Sequence, residues 1–268
     1  RPGAGRLSPM MPSLSEPKSI LITGASSGLG AALARGYAAP GVHLTLSGRD
    51  TGRLEAVAAD CRAAGAEARY QAIDVLDTGA LAAWIEDADD RAPLDLVIAN
   101  AGISAGTGGV QESDAQTRRI MAVTVDGVIG TVLPAVARMR PRRHGQVAIM
   151  SSLASFRGFP GAPAYSASKA AVRIWGEALR GDLRGSGIAV SVICPGYVET
   201  PMTAVNDFPM PFLMSAEKAV RIIRKGLARD RARIAFPLPT YAAVRILAGL
   251  PVAITDPLVR RLPKKGRG

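Results

Sequence analysis

The 268-residue chain has only two cysteines, Cys61 and Cys194. Two thiols are too few for a disulfide framework or a structural zinc site, and no metal centre is expected. They suit a reducing compartment, and with no obvious secretory signal the expectation is a cytoplasmic protein. Long apolar runs are missing as well. The longest uncharged stretches, from Lys18 to Arg35 and from Asp95 to Glu112, each enclose 16 residues and are rich in glycine. A membrane span needs about 18 apolar residues, so a transmembrane protein is not expected. Aromatic residues are only 4% of the chain, with no stripe that interleaves them with cations. That pattern excludes nucleic acid as an expected partner. Lysine is scarce too, at 6 residues against 27 arginines, a ratio that fits genome composition.

What is abundant is apolar. At 48% hydrophobic residues the chain buries a sizeable core. Its formal net charge of +11 is not evenly spread. Residues 221–268 hold 12 Lys/Arg and 2 Asp/Glu, whereas residues 1–220 hold 21 and 20. The basicity therefore belongs to the C-terminal end, and the body is nearly neutral. Three parts are expected: a flexible lead-in over 1–18, a catalytic domain over 19–237, and a basic, partly apolar extension over 238–268.

From Ser19 onward short apolar runs alternate with Ala/Leu-rich helical segments. Strands are expected at 19–23, 42–47, 68–73, 94–99, 146–150, 188–193 and 233–236. Helices are expected at 28–39, 51–64, 78–90, 115–140, 164–184 and 215–229. Such alternation means βαβ units, a parallel sheet buried on both faces, and right-handed crossovers. The fold class is α/β, a single-domain doubly wound sheet with helices on both sides. Ligands in such sheets bind at the carboxyl ends of the strands.

The first strand end carries Thr23-Gly24-Ala25-Ser26-Ser27-Gly28-Leu29-Gly30. Glycines between a strand and a helix allow a tight turn and set a phosphate over the helix N-terminus. The second carries Ser47-Gly48-Arg49, with no carboxylate until Asp50. An arginine there accommodates the 2′-phosphate of NADP, where an acid would bind the ribose of NAD; a solvated turn arginine is the alternative. NADP(H) is accordingly preferred over NAD(H). After the third comes Asp74-Val75, where the aspartate either accepts from an adenine amino group or caps the next turn. After the fourth comes Asn100-Ala101-Gly102, small enough to lie against a ribose, with Asn100 able to tie strand ends together.

After the fifth come Ser151-Ser152 and then Tyr165-Ser166-Ala167-Ser168-Lys169. Tyr165 and Lys169 are i and i+4 on one helix face. With five tyrosines and six lysines, chance gives about 0.1 such spacings in the chain. A phenol ordinarily loses its proton near pH 10, and a neighbouring ammonium favours the phenolate. Tyr165 then suits proton transfer, Ser152 can hold a carbonyl or alkoxide oxygen, and Lys169 can also bond a nicotinamide ribose.

These motifs, with Pro195-Gly196…Thr200, resemble the short-chain dehydrogenase/reductase family from about Ser19 to Phe236. The resemblance implies a seven-stranded sheet, Tyr165 as acid/base, Lys169 as its partner and ribose ligand, and Ser152 as substrate orienter. It implies that Val198 and Thr200 meet the nicotinamide carboxamide. It also implies a homodimer or homotetramer built on the helices at about 115–140 and 164–184. In many members an asparagine in an N-x-x-G context supports a water relay toward the lysine; here Thr124 stands in that place. The Met-rich segment between Thr200 and Ser215 matches the substrate lid, making Met202, Phe208, Met210 and Met214 candidate contacts for a hydrophobic carbonyl or alcohol. A cofactor-binding regulator with little turnover is the alternative function. The extension is expected either to make peripheral membrane contact or to pack on a partner subunit.

Overall fold

The chain begins its ordered alternation at β1 (Ser19–Thr23), five residues buried from end to end. In the computed structural model, residues 16–104, 112–206 and 208–260 are described. The expected lead-in lies almost wholly outside them. Six more strands follow: β2 (His43–Gly48), β3 (Glu67–Ala72), β4 (Leu96–Ala99), β5 (Gly145–Met150), β6 (Ile188–Pro195) and β7 (Arg233–Phe236). All pair in parallel, in the order β3-β2-β1-β4-β5-β6-β7. The order reverses between β1 and β4, which opens a crevice at their carboxyl ends.

The helices are α1 (Gly28–Tyr37), α2 (Thr51–Ala63), α3 (Thr78–Arg91), α4 (Asp114–Met121), α5 (Gly127–Arg142), α6 (Pro163–Asp182), α7 (Pro201–Ala204), α8 (Ala216–Leu227), α9 (Leu238–Gly249) and α10 (Val252–Val259). Period-2 alternation splits the strands between two cores. Ile20, Ile22, Leu96 and Ile98 pack with Leu33 of α1, Leu54 of α2 and Ile223 of α8. Leu21, Val97, Val147 and Ile149 pack with Ile85 of α3, Val132 of α5 and Val172 of α6. Helices thus cover both faces, as a fully apolar parallel sheet requires.

The long helix expected over 115–140 differs in one respect. Between α4 and α5 it passes through a π-helical turn, Ala122–Asp126. Three consecutive β-branched residues, Val123, Thr124 and Val125, sit in that turn, and each crowds a regular α-helix at χ1. The run Asp114–Arg142 is long and apolar enough to cross a membrane, but half of its most apolar stretch is buried inside the fold. Its apolar face is explained by the sheet.

Candidate active site

One cleft at the carboxyl ends of the strands gathers most of the expected residues. Gly24, Ser26, Ser27, Gly28, Leu29, Arg49, Asp74, Val75, Asn100, Ala101, Gly102, Ser152, Tyr165, Lys169, Pro195, Gly196, Val198, Thr200 and Met202 all line it. Ile73, Ile103, Val123, Met150 and Thr203 join them without having been expected.

The glycine turn is built by backbone geometry. Gly24 and Gly28 have φ of +68° and +56°, a region glycine enters freely. Gly30 does not line the cleft. A Cβ there would overlap the Gly24 carbonyl oxygen and the Asn100 amide, so Gly30 lets α1 approach the turn closely. Asn100 Nδ2 donates to the carbonyls of Thr23 at 3.0 Å and Gly24 at 3.1 Å, tying the end of β4 to β1 as its position suggested. Ser47 also departs from expectation. It is fully buried and its hydroxyl finds no partner among the described residues, so it packs beneath the cleft rather than lining it.

The amide end of α1 fits an anionic group. No side chain caps α1, whereas Asp50, Asp77 and Ser215 cap α2, α3 and α8. Its free N–H groups face the cleft, where the helix dipole favours a phosphate. Asp50, the one carboxylate near the β2 end, is engaged: it accepts from Arg53 N at 2.9 Å as the cap of α2. Arg49 stands exposed at the rim. Asp74 does cap a turn, accepting from Leu76 N at 3.1 Å, and it also pairs with Arg119 at 3.0 Å. Burial by itself would raise its pKa, but the Leu76 amide, Arg119 and Arg49 outweigh that and hold the carboxyl low.

At the reacting end, Ser152, Tyr165 and Lys169 converge. Ser152 Oγ takes the Ala154 amide at 3.1 Å and donates to the Pro195 carbonyl at 3.5 Å, and it stands near enough to the Tyr165 hydroxyl to favour the phenolate. Lys169 is buried, donates Nζ to the Met150 carbonyl at 2.8 Å, and lies 5.9 Å from the Tyr165 ring centre. The electrostatics differ from the simple sequence picture. Burial raises the Tyr165 pKa, the Ser152 hydrogen bond opposes it, and Tyr197 adds a further upward push. Burial likewise lowers Lys169 to about 8. Desolvation, which a sequence does not display, is the largest cause of both shifts.

Thr124 sits in the π turn, fully buried, and its hydroxyl has no hydrogen-bond partner among the described residues. A Cβ added to Gly102 would stand 3.7 Å from that hydroxyl and 3.2 Å from Lys169 Nζ, so both groups border the same small space. π turns recur at functional sites.

The lid is anchored at both ends. Val198 bridges Met214, and Glu199 N donates to the Met214 carbonyl at 2.9 Å. Met214, expected among the lid contacts, is buried in the core with Val198 and Ala219 and does not line the cleft. Phe208 sets its edge on Tyr197, ring centres 6.2 Å apart, and Met210 Sδ accepts from Asn206 at 3.3 Å. Neither lines the cleft in this arrangement; Met202 does.

Sequence reasoning missed Glu112. Its Oε2 accepts the Ala164 amide at 3.1 Å, at the first turn of α6 and one residue before Tyr165. Ala162, the residue in the capping position, offers no side-chain acceptor. Glu112 supplies one from 52 residues away, a contact no local motif announces.

A parallel sheet with an open helix N-terminus and a Ser–Tyr–Lys cluster at its switch point defines a nucleotide-dependent oxidoreductase. The comparisons agree. The short chain dehydrogenase family model matches residues 18–208. An uncharacterized oxidoreductase of Myxococcus xanthus is 39% identical over 246 residues, covering 91% of this chain and 97% of its own. A ketoacyl reductase, HetN, of Nostoc is 33% identical, covering 76% and 72%. Among solved structures, a short-chain dehydrogenase from Sphingobium yanoikuyae in complex with NADPH superposes with a TM-score of 0.76 at 26% identity, covering 91% and 96%. The chain belongs to the short-chain dehydrogenase/reductase family and is an NAD(P)-dependent oxidoreductase.

Proposed function

We propose that the protein interconverts a hydrophobic ketone and its secondary alcohol with NADP(H). The observation that carries this reading is the convergence of Ser152, Tyr165 and Lys169 on one cleft with the uncapped end of α1. The bound nicotinamide supplies or accepts a hydride at the carbonyl carbon. The Ser152 hydroxyl orients the carbonyl oxygen beside the phenol. Tyr165 gives its proton to that oxygen in reduction and takes it back in oxidation. Lys169 binds the nicotinamide ribose and stabilises the phenolate when it forms, and the Thr124 hydroxyl holds water next to it. Val198 and Thr200 hold the carboxamide, and Asp74 lies on the adenine side.

Substrate class follows from the lid. Met202 lines the cleft, and Val205, Phe212 and Leu213 expose apolar side chains on the same segment, a composition suited to a lipophilic ligand. Acyl ketones come first in a substrate panel, given the relatives named ketoacyl reductases. Exposed Leu133 and Ile174, on α5 and α6, suit a homodimer or homotetramer. Two buried free thiols, Cys61 and Cys194, suit a cytoplasmic setting.

Arg49 is the proposed reader of the 2′-phosphate, because Asp50 is committed to α2. A charged hydrogen bond is worth about 1.5–3 kcal/mol. In Arg49→Glu the KM for NADPH should rise by roughly ten- to a hundredfold, while the KM for NADH stays within about threefold. Steady-state kinetics with both cofactors checks this. Equal changes for the two would remove Arg49 from the phosphate site.

A further inference from the structure

The helices α9 and α10 present an apolar surface that the catalytic reading does not use. The inward side of α9 is accounted for. Val244 packs with Leu153 and Phe156, and the Tyr241 ring meets Phe156 edge-on at 5.4 Å. Tyr241 also accepts from Arg233 at 3.1 Å. The opposite side should be polar in a helix facing water. Instead Leu238, Ala242, Ile246 and Leu250 follow one another at helical spacing, all exposed. Leu238 is 73% exposed and Ile246 66%. The next helix continues the surface, with Val252 and Ile254 each 59% exposed.

The charge around this stripe has one sign. Residues 238–268 contain six Lys/Arg and a single acid, Asp256. That acid is neutralised, since it pairs with Arg157 at 2.7 Å and lies 4.0 Å from Arg260. Exposed Arg245 borders the α9 stripe with its guanidinium 5.7 Å from the Phe156 ring centre, and the sequence continues with Arg261, Lys264, Lys265 and Arg267. A self-complementary pairing of this surface would set cations against cations with no free carboxylate to answer them. Exposed apolar side chains on two helices, followed in sequence by a run of cations, match the boundary of an anionic bilayer, where apolar groups enter the acyl region and cations meet headgroup phosphates.

We infer that α9 and α10 dock this protein on an anionic lipid surface. The inner side of α9 packs on the turn that follows Ser152, so the docked face is rigidly joined to the reacting cleft. A lipophilic substrate then reaches the enzyme from the membrane it sits on. Docking itself does not depend on turnover.

The test is co-sedimentation of the full chain with phosphatidylcholine vesicles, with and without phosphatidylglycerol. The protein should pellet with the anionic vesicles, release as salt is raised, and stay in solution with the neutral ones. Ile246→Glu combined with Leu250→Glu should weaken pelleting at least about tenfold. Lys264→Gln and Lys265→Gln should each weaken it roughly fivefold. Circular dichroism and NADPH binding establish that the variants are folded. No pelleting of the wild type with anionic vesicles at low salt overturns the inference. So does pelleting that Ile246→Glu/Leu250→Glu leaves unchanged. A drop in mass by sedimentation equilibrium in that variant, without wild-type vesicle binding, would assign the face to a second copy of the chain instead.

Discussion

Replacing Tyr165 by Phe should lower kcat for ketone reduction by a factor of about 10³ or more, with cofactor affinity nearly unchanged. The phenol lines the cleft beside Ser152, and Phe keeps its shape while removing the proton. Binding and chemistry should separate, since the proposed phosphate site is the uncapped end of α1, away from the phenol. Fluorescence titration of NADPH reads the first and single-turnover reduction the second. A pH profile sharpens the assignment. Burial raises the Tyr165 pKa, so the phenol stays protonated through neutral pH. Reduction, which needs the proton, should be flat near neutrality and fall in alkaline buffer. Oxidation of the alcohol needs the phenolate and should rise over the same range. Profiles of the same sign in both directions would remove Tyr165 from the proton transfer.

Replacing Lys169 by Met should abolish most activity, on the order of a 10²–10⁴-fold loss, and yet stabilise the fold. The ammonium is buried and its pKa is pushed down to about 8. An unfolded lysine keeps its proton to about pH 10.4. Below pH 8 both states are charged, and the folded state bears the whole cost of burying that charge. Between about 8 and 10.4 the unfolded chain binds more protons, so stability rises with pH across that window. At pH 7 the methionine variant should therefore be more stable by about 3 kcal/mol, or roughly 8 °C in Tm. The advantage should shrink as the pH approaches 10. A charge retained at a cost to stability is expected where function requires it. Equal melting temperatures at pH 7 and 10, or a lower one for the variant at pH 7, would contradict this account of Lys169.

Much of this protein is readable from its sequence because parallel sheets write themselves plainly. The runs Ile20–Ile22, Leu96–Ala99 and Val147–Met150 are apolar without interruption, and the strands lie at Ser19–Thr23, Leu96–Ala99 and Gly145–Met150, within two residues of expectation. The site was readable for the same reason. Its residues follow strand ends, and the fold brings strand ends together. Three features were hidden, each for a physical reason. Met214 looks like its lid neighbours in composition, and only the Val198 bridge turns it inward. Glu112 reaches α6 through a tertiary contact with no local signature. The π turn at Thr124 lies in a sequence whose apolar spacing reads as ordinary helix. The positive charge of the C-terminal end was visible at once, whereas the exposure of Ile246 and Val252 is seen only in the fold.

The most direct test of the central claim is isotope transfer. NADPH deuterated at the transferable C4 position would be incubated with the protein and a panel of lipophilic ketones, and the products examined by mass spectrometry. The account predicts deuterium on the carbinol carbon of at least one product with the wild type, and almost none with Tyr165→Phe. Tight NADPH binding without deuterium in any product, or equal transfer by the Tyr165→Phe variant, would contradict it.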